Sequence, residues 1–331
     1  MNRSQTEDAR EQNRLIMRKA GELGIKGRRL LPGSEQFLEL EHEGKRIVVN
    51  RTRSNKMTLM AGLLAQNKQA SNVLFERYGL PVPAYAVVES AGEEALRFLR
   101  EHRLVVAKPL DRSRSVGVTL RVSEEAQLER AVEEALRHSH HVMLQRYVEG
   151  IDIRVLVVDG HAVGALEYRP AAIEGDGVTT IRGLIDRLND EHSNRGDAIG
   201  SFRAIDLASA PMPGILASSG RRPDDVLRSG ERWELFAGDN LSADDVVEVP
   251  VDRSADLHPD TFAAAVLAAE ALGLDVAGVD LRCRDASLPL GDDNGGIIEA
   301  NALPDMIDPY LLFRHGTADV FELYLRYLFD L

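Results

Sequence analysis

The sequence predicts an α+β fold in which three lobes each combine short strands with helices. Short runs rich in Val and Ile alternate with segments of helical periodicity. Gly, Asp or Pro separates most of these segments, as expected where strands and helices end. An apolar content of 44% over 331 residues is enough for a buried core without disulfides.

The first lobe is predicted to span residues 1–83. Leu15, Ile16, Ala20 and Leu23 follow a helical period, and Gly24 ends that helix. Two prolines at Pro81 and Pro83 favour an extended segment, which marks the boundary of the lobe. The remaining predicted elements are strands at 37–40 and 47–49 and a helix at 67–79.

The second lobe is predicted at residues 84–149, a size suited to a lid over a site. Its strands are expected at 84–88, 104–110, 117–120 and 142–148. Helices are expected at 93–102 and from 123 onward, where Ser123 and two glutamates form an N-terminal signal.

The third lobe is predicted at residues 150–331. A hairpin of 153–158 and 162–168 turns at Asp159 and Gly160. Residues 194–245 are expected to be a loop-rich insertion with short strands, because they are rich in Gly, Ser, Asp and Arg. The other predicted elements are helices at 179–191, 259–272 and 317–328 and strands at 276–281 and 296–301.

Composition excludes several classes of partner. A net charge of −13 disfavours binding to nucleic acid, since no cationic surplus is available to replace counterions. No apolar run is long enough to cross a membrane, and residues 1–19 are charged rather than signal-like. Cys283 is the one cysteine, which fits a reducing compartment. A soluble cytoplasmic protein with no membrane partner is therefore expected.

The two strands nearest the C-terminus carry oxygen ligands. Glu299 and Asn301 are two residues apart, so both project from one face of a strand. If the strand that carries Asp280 pairs with theirs, three oxygen ligands converge, a set that suits Mg²⁺. The alternative is that Asp280 and Glu299 are solvent-exposed residues at strand ends.

A second candidate site lies around Lys108. This lysine is predicted in a strand that precedes a loop of small and polar residues, 111–117. A lysine beside exposed backbone amides can hold phosphates. The alternative is a hairpin with a solvent-facing lysine. No P-loop motif is present, and the histidine-rich segment 138–141 is interpreted as a surface loop rather than a metal site.

Several motifs occur together in a characteristic order. They are Ala107-Lys108-Pro109-Leu110-Asp111, 145–157, 175–181, 194–197, 239–242, Ala277-Gly278-Val279-Asp280 and Ile298-Glu299-Ala300-Asn301. From about Asn67 to the C-terminus the sequence resembles the ATP-grasp carboxylate–amine ligases, in particular the ATP-grasp domains of cyanophycin synthetase and of the fused bacterial glutathione synthetase.

This resemblance implies an ATP-grasp fold in which two α/β lobes grip ATP beside a smaller N-terminal α/β lobe. It implies that ATP and Mg²⁺, with Mn²⁺ as an alternative ion, take part in joining an amino-acid or peptide carboxylate to an amine through an acyl phosphate. The implied nucleotide residues are Lys68, Lys108, Ser113, Ser115, Gly117, Gln145, Arg146, Val148 and Asp152. The implied metal ligands are Asp280, Glu299 and Asn301, and the implied catalytic residues are Arg154, Arg169 and Asn240.

The sequence departs from the family pattern on the substrate side. Residues 112–115 replace a glycine-rich loop, Phe236 replaces an arginine, and Asp244 and Asp245 replace two glycines. These changes are interpreted as an altered substrate pocket. The alternative is an ATP-binding module, a sensor or scaffold, without ligase activity. The oligomeric state stays open, with a homodimer among the options.

Overall fold

The computed structural model describes residues 3–112, 116–193, 202–236, 246–313 and 319–331. The chain forms two compact units. The first comprises Met1–Glu167 with Asp252–Leu331, and the second comprises Tyr168–Val251. The predicted α+β class is confirmed. The predicted lobe boundaries at residues 83 and 149 stay predictions.

The N-terminal part of the first unit combines a four-stranded antiparallel sheet, in the order β1-β2-β3-β4, with three helices. Gly24 follows α1 with a positive φ of 72°, and the side chain of Asn67 accepts from the amide of Ala70 to begin α3. The elements are α1 (Arg3–Glu22), β1 (Lys26–Arg29), β2 (Leu38–His42), β3 (Lys45–Asn50), β4 (Arg53–Ser54), α2 (Leu59–Gln66) and α3 (Lys68–Arg77).

Three of these elements were not predicted from the sequence. Strand β1 contains no apolar side chain and is exposed throughout, so it has no alternating pattern. Strand β4 has only two residues. Helix α2 is apolar on several sides, since Leu59 and Met60 are exposed while Ala61 is buried, and this hides its helical period.

The next part is a four-stranded antiparallel sheet, in the order β5-β8-β6-β7. Its elements are β5 (Tyr85–Val88), α4 (Glu93–His102), β6 (Val105–Pro109), β7 (Thr119–Val122), α5 (Glu125–Leu136) and β8 (Val142–Arg146). Phe98, Leu128 and Val132 of the helices pack with Val105 and Leu144 of the sheet in one hydrophobic core. Helix α4 has the bounds that the sequence predicts.

The largest sheet has the order β13-β10-β9-β14-β15. Helix α8, whose bounds also match the prediction, packs Ala265 and Ala268 against Ile153 and Val155 of β9. The elements are β9 (Ile151–Val158), β10 (His161–Pro170), β13 (Glu248–Asp252), α8 (Pro259–Leu272), β14 (Val276–Cys283), β15 (Gly295–Asn301), α9 (Ile307–Phe313) and α10 (Val320–Phe329). None of the described helices is long and apolar enough to span a membrane.

The second unit contains β11 (Ala172–Glu174), α6 (Ile181–Ser193), α7 (Met212–Ser219) and β12 (Arg232–Glu234). Strands β11 and β12 pair antiparallel, and Ile173, Ile185, Leu216 and Leu235 form a separate core. Helix α7 corrects the expectation of loops and short strands over residues 194–245. Its sequence includes Gly214 and is too short to establish a helical period.

Gly150 is required where the chain enters the large sheet. Its φ is +125°, which L side chains rarely adopt, and a Cβ atom there would lie 2.0 Å from the carbonyl oxygen of Cys283. Cys283 is the register partner of Ile151. A side chain at residue 150 would therefore push β9 and β14 apart.

We expect Gly150→Ala to lower the free energy of unfolding by about 2 to 5 kcal/mol, because backbone strain and overpacking add. Gly160→Ala is the matched control, since Gly160 also has a positive φ but its Cβ would meet nothing within 4 Å. That control is expected to cost only about 1 to 2 kcal/mol. Urea unfolding measures both, and equal losses would contradict the steric explanation.

Candidate nucleotide and metal site

Three neighbouring strands bring the predicted metal ligands together. In the register of the sheet Asp280 of β14 lies opposite Glu299 of β15 on one side and opposite Arg154 of β9 on the other. Asn301 lies two residues after Glu299 on the same strand, so the two side chains share a face. The strand register therefore brings the side chains of Arg154, Asp280, Glu299 and Asn301 together on one face of the sheet.

Hydrogen bonds connect these four side chains. Arg154 donates from Nε and Nη2 to the two carboxylate oxygens of Asp280, at 2.6 and 2.8 Å. The Asn301 amide donates to Asp280 Oδ2 at 2.7 Å and to Glu299 Oε1 at 3.2 Å. The amide group therefore bridges the two carboxylates, while the guanidinium neutralises one of them.

Burial and local charge act differently on the two carboxylates. Burial raises the pKa of Asp280, and Arg154 only partly offsets this effect. Burial would also raise the pKa of Glu299, but Lys68, Lys108 and the amide of Asn301 outweigh it and hold that pKa below its ordinary value. Glu299 is therefore held as an anion by cations from two other elements.

Lys108 lies on β6 and is only 6% exposed. Its Nζ donates to Gln145 Oε1 on the adjacent strand β8 at 2.8 Å. Burial is the main cause that lowers the pKa of Lys108 to about 8; Glu299 opposes this shift and Lys68 adds to it. The solvent-facing lysine that the sequence left open as an alternative is thus wrong for this position.

Two further side chains lie close to Lys108. Lys68, in the first turn of α3, donates to the backbone carbonyl of Arg112. Asn72 lies one turn further along α3, is 1% exposed, and directs its amide at the sulfur of Met143 at 3.9 Å. Met143 is the register partner of Lys108. Sequence reasoning missed Asn72; its only signal is the spacing of four residues from Lys68.

The segment that joins β8 to β9 is held by Arg282, which sequence reasoning also missed. Arg282 forms an ion pair with Asp152, donates to the carbonyl of Val148 at 2.5 Å and to the hydroxyl of Tyr147 at 3.0 Å. Asp152 is its register partner across β9 and β14. The available signal was its position on β14 two residues after Asp280.

The remaining predicted residues have the following positions. Arg146 ends β8, and its amide donates to the carbonyl of Ala84 at 2.8 Å. Gly117 has a φ of +69°, and a Cβ there would lie 2.7 Å from the ring of His138. Arg169 is near the end of β10 and belongs to the second unit. Ser113, Ser115 and Asn240 lie outside the described residues.

The donor chemistry fits a nucleotide with a hard cation. Gln145 Nε2 and Asn72 Oδ1 are buried without a hydrogen-bond partner, which leaves a donor and an acceptor beside Lys108 for a ligand. Within the described ranges no group of three His, Cys, Asp or Glu residues could hold a metal. Two carboxylates and one amide are instead a partial set for Mg²⁺, which usually completes its shell with water and phosphate oxygens.

Comparison with known proteins shows what the chain is similar to. Residues 75–188 match the model of the prokaryotic glutathione synthetase ATP-grasp domain. Cyanophycin synthetase from Geminocystis herdmanii is 31% identical over 279 residues, which are 83% of this chain and 31% of that protein. The chain carries an ATP-grasp domain related to that of cyanophycin synthetase.

This ATP-grasp domain is also related to the glutathione biosynthesis bifunctional protein GshAB from Mannheimia succiniciproducens. The two are 28% identical over 286 residues, covering 84% of this chain and 37% of that protein. The chain thus spans about a third of the length of these relatives. It is homologous to the ATP-grasp carboxylate–amine ligases.

Solved structures confirm the predicted ATP-grasp fold. A bifunctional glutathione synthetase from Pasteurella multocida superposes with a TM-score of 0.72 and 24% identity, over 96% of this chain and 44% of that one. A D-alanine–D-alanine ligase from Bacillus anthracis gives a TM-score of 0.52 and 15% identity, over 83% of this chain and 69% of that one.

Lys108 should make the stability of the ATP-grasp domain depend on pH. Between its folded pKa of about 8 and the ordinary value of 10.5, the unfolded chain binds more protons, so the free energy of unfolding rises with pH. We expect Lys108→Met to lack this rise, as measured by urea unfolding from pH 7.5 to 10.5.

The exposed Lys26 of β1 provides the control, and Lys26→Met should keep the wild-type slope. Loss of the hydrogen bond from Lys108 to Gln145 changes the free energy of unfolding of Lys108→Met by the same amount at every pH, so it does not change the slope against pH. Parallel curves for the wild type and Lys108→Met would contradict a lysine pKa near 8.

Proposed function

We propose that the protein is an ATP- and Mg²⁺-dependent ligase that joins an amino-acid or peptide carboxylate to an amine. ATP phosphorylates the carboxylate, and the amine displaces phosphate from the resulting acyl phosphate. One observation carries this proposal. Lys68 and Lys108 act electrostatically on Glu299, and Asn301 joins Glu299 to Asp280.

The proposed reaction must bring several anions together. The triphosphate and the attacking carboxylate repel each other, so cations have to neutralise them before their oxygens approach. Lys68 and Lys108 would hold phosphate oxygens. Asp280, Glu299 and Asn301 would hold Mg²⁺, or Mn²⁺, which supplies neutralisation and orientation of the transferring phosphoryl group when bound.

Binding a cation requires these residues to exchange their present hydrogen bonds. The Asn301 amide must turn so that its oxygen, rather than its NH₂ group, faces the ion. Asp280 must share oxygens that now accept from Arg154. The Arg154 guanidinium would then lie beside the acyl phosphate and stabilise its charge.

The end of β8, the start of β9 and the segment between them would bind the nucleoside. Gln145 Nε2 has no partner and could donate to the adenine ring, while Arg146 and Val148 would contact the base. Asp152 would accept from the ribose hydroxyls. Arg282, which already contacts Val148 and Asp152, would position this segment without touching the reacting atoms.

The roles of Ser113, Ser115 and Gly117 in covering the phosphates, and of Arg169 and Asn240 in catalysis, stay predictions from the sequence. The substrate class is supported by the name of one relative, a bifunctional protein of glutathione biosynthesis, because glutathione is a peptide.

We expect Asp280→Asn and Glu299→Gln to lower carboxylate-dependent ADP formation about a hundredfold or more, because the cation would lose a charged ligand. A coupled ADP assay across pairs of amino acids and dipeptides, with mass spectrometry of the products, measures this. Glu129→Gln, at an exposed position of α5, is the control and should keep wild-type turnover.

Normal turnover in Asp280→Asn and Glu299→Gln would contradict the proposed metal site. Binding of Mg²⁺–ATP by calorimetry, with no ADP formed from any pair of substrates, would instead favour a nucleotide-binding module that does not ligate. Chelation by EDTA should abolish turnover, and added Mg²⁺ should restore it.

A further inference from the structure

Arg51 lies in the short turn between β3 and β4, and Arg53 is the first residue of β4. The two arginines are here called the arginine turn. Between them Thr52 is 1% exposed and donates its hydroxyl to the carbonyl of Pro304 at 3.1 Å. Arg53 Nε donates to the carbonyl of Ala302 at 3.2 Å. The arginine turn is therefore fixed to the segment that follows β15.

That segment borders the candidate metal site. It begins directly after Asn301, the last residue of β15. A Cβ at Gly278 would lie 3.1 Å from Pro304 Cβ and 3.2 Å from Arg154 Cδ. Pro304 and Arg154 thus flank the same point of β14, two residues before Asp280. The arginine turn contacts the same short segment, from the N-terminal part of the unit.

The two guanidinium groups of the turn have unused binding capacity. Arg51 Nε is buried without a hydrogen-bond partner. Across the described ranges neither Arg51 nor Arg53 is in an ion pair with a carboxylate. Burial, and then the neighbouring charge of Arg51, lowers the pKa of Arg53. Two like charges are therefore held close together and partly out of water, which is costly without an anion.

Arg51 acts electrostatically on a partly buried acid, Asp305. Its carboxylate already accepts from the amides of Ile307 and Asp308, at 3.1 and 3.2 Å. Burial raises the pKa of Asp305, while Arg51 and Arg154 act against that rise. Backbone amides therefore hold the Asp305 carboxylate in place. It attracts the charge of Arg51 but forms no ion pair with the Arg51 guanidinium.

We propose that Arg51 and Arg53 bind a second carboxylate of the substrate, one that is not phosphorylated. This inference rests on the proposed function and specifies its substrate as an amino acid or peptide with a free carboxylate besides the reacting one. The planar guanidinium fork matches a carboxylate. Lys68, Lys108 and Arg154 already act on Glu299 and Asp280, whereas within the described residues neither guanidinium of the arginine turn is paired with a carboxylate.

A phosphate of the nucleotide offers the same ligand chemistry, and the test separates the two sources. Calorimetry first measures Mg²⁺–ADP binding to the wild type, Arg51→Gln, Arg53→Gln and Arg46→Gln. Arg46 is the matched control because it lies on β3 with its side chain 65% exposed. The nucleotide-saturated proteins are then titrated with L-aspartate, L-glutamate, Asp-Ala and Glu-Ala, and with the corresponding amides.

We expect the wild type and Arg46→Gln to bind at least one of these dicarboxylates with the same affinity. Arg51→Gln and Arg53→Gln should bind it about tenfold to a hundredfold more weakly, while the dissociation constant for Mg²⁺–ADP changes less than twofold. The amides, which lack one carboxylate, should bind the wild type and all three variants with similar dissociation constants. If Arg51→Gln lowers the melting temperature, Arg53→Gln decides the outcome.

Equal dicarboxylate affinities in all four proteins, or no binding to the wild type, would overturn the proposal. A loss of Mg²⁺–ADP affinity in the arginine variants would overturn it in favour of a phosphate ligand. Failure of the ligase function is distinguishable, because it would appear as dicarboxylate binding to the wild type without ADP formation. If Arg51→Gln and Arg53→Gln keep ligase activity with an unchanged KM for the carboxylate substrate, the proposed role of the arginine turn is overturned but the ligase function is not.

Discussion

The buried charge of Lys108 is the constraint on which the site depends. An isolated ammonium inside a protein is costly, so its position is tolerated only where acceptors and an anion compensate. Gln145 accepts from Lys108, and Glu299 stabilises its charged form from another sheet. The same electrostatic link lowers the pKa of Glu299. The residues proposed to bind phosphate and those proposed to bind the metal are therefore electrostatically coupled in the free protein.

Sheet register and close backbone contacts maintain this coupling. Strand β14 lies between β9 and β15, so Asp280 meets Arg154 on one side and Glu299 on the other. Glycine is needed where strands enter the sheet, since a Cβ at Gly150 would collide with β14. Rigid strands thus supply the ligands. The turn of β3 and β4 adds cationic groups at the border of that arrangement.

Local sequence signals predicted the elements that they control. The bounds of α4 and α8 follow from helical periods with clear ends, and the last two strands follow from apolar runs bounded by Gly- and Asp-rich turns. The sequence left the pairing of these two strands open, and the structure pairs them. Contacts between distant segments left no such signal. Asn72, Arg282 and the arginine turn come close to the candidate site only through tertiary packing, and α9 is too short for a reliable period. Ser113, Ser115 and Asn240 lie outside the described residues.

The coupling is tested most directly by measuring the pKa of Lys108 with lysine-selective NMR. The chain has six lysines, so their signals can be assigned with single variants. A pKa of about 8 is expected in the free protein, and it should rise when Mg²⁺ and a non-hydrolysable ATP analogue bind, because phosphate favours the charged ammonium. An ordinary lysine pKa in the free protein, or one unchanged by the nucleotide, would contradict a site built around this buried charge.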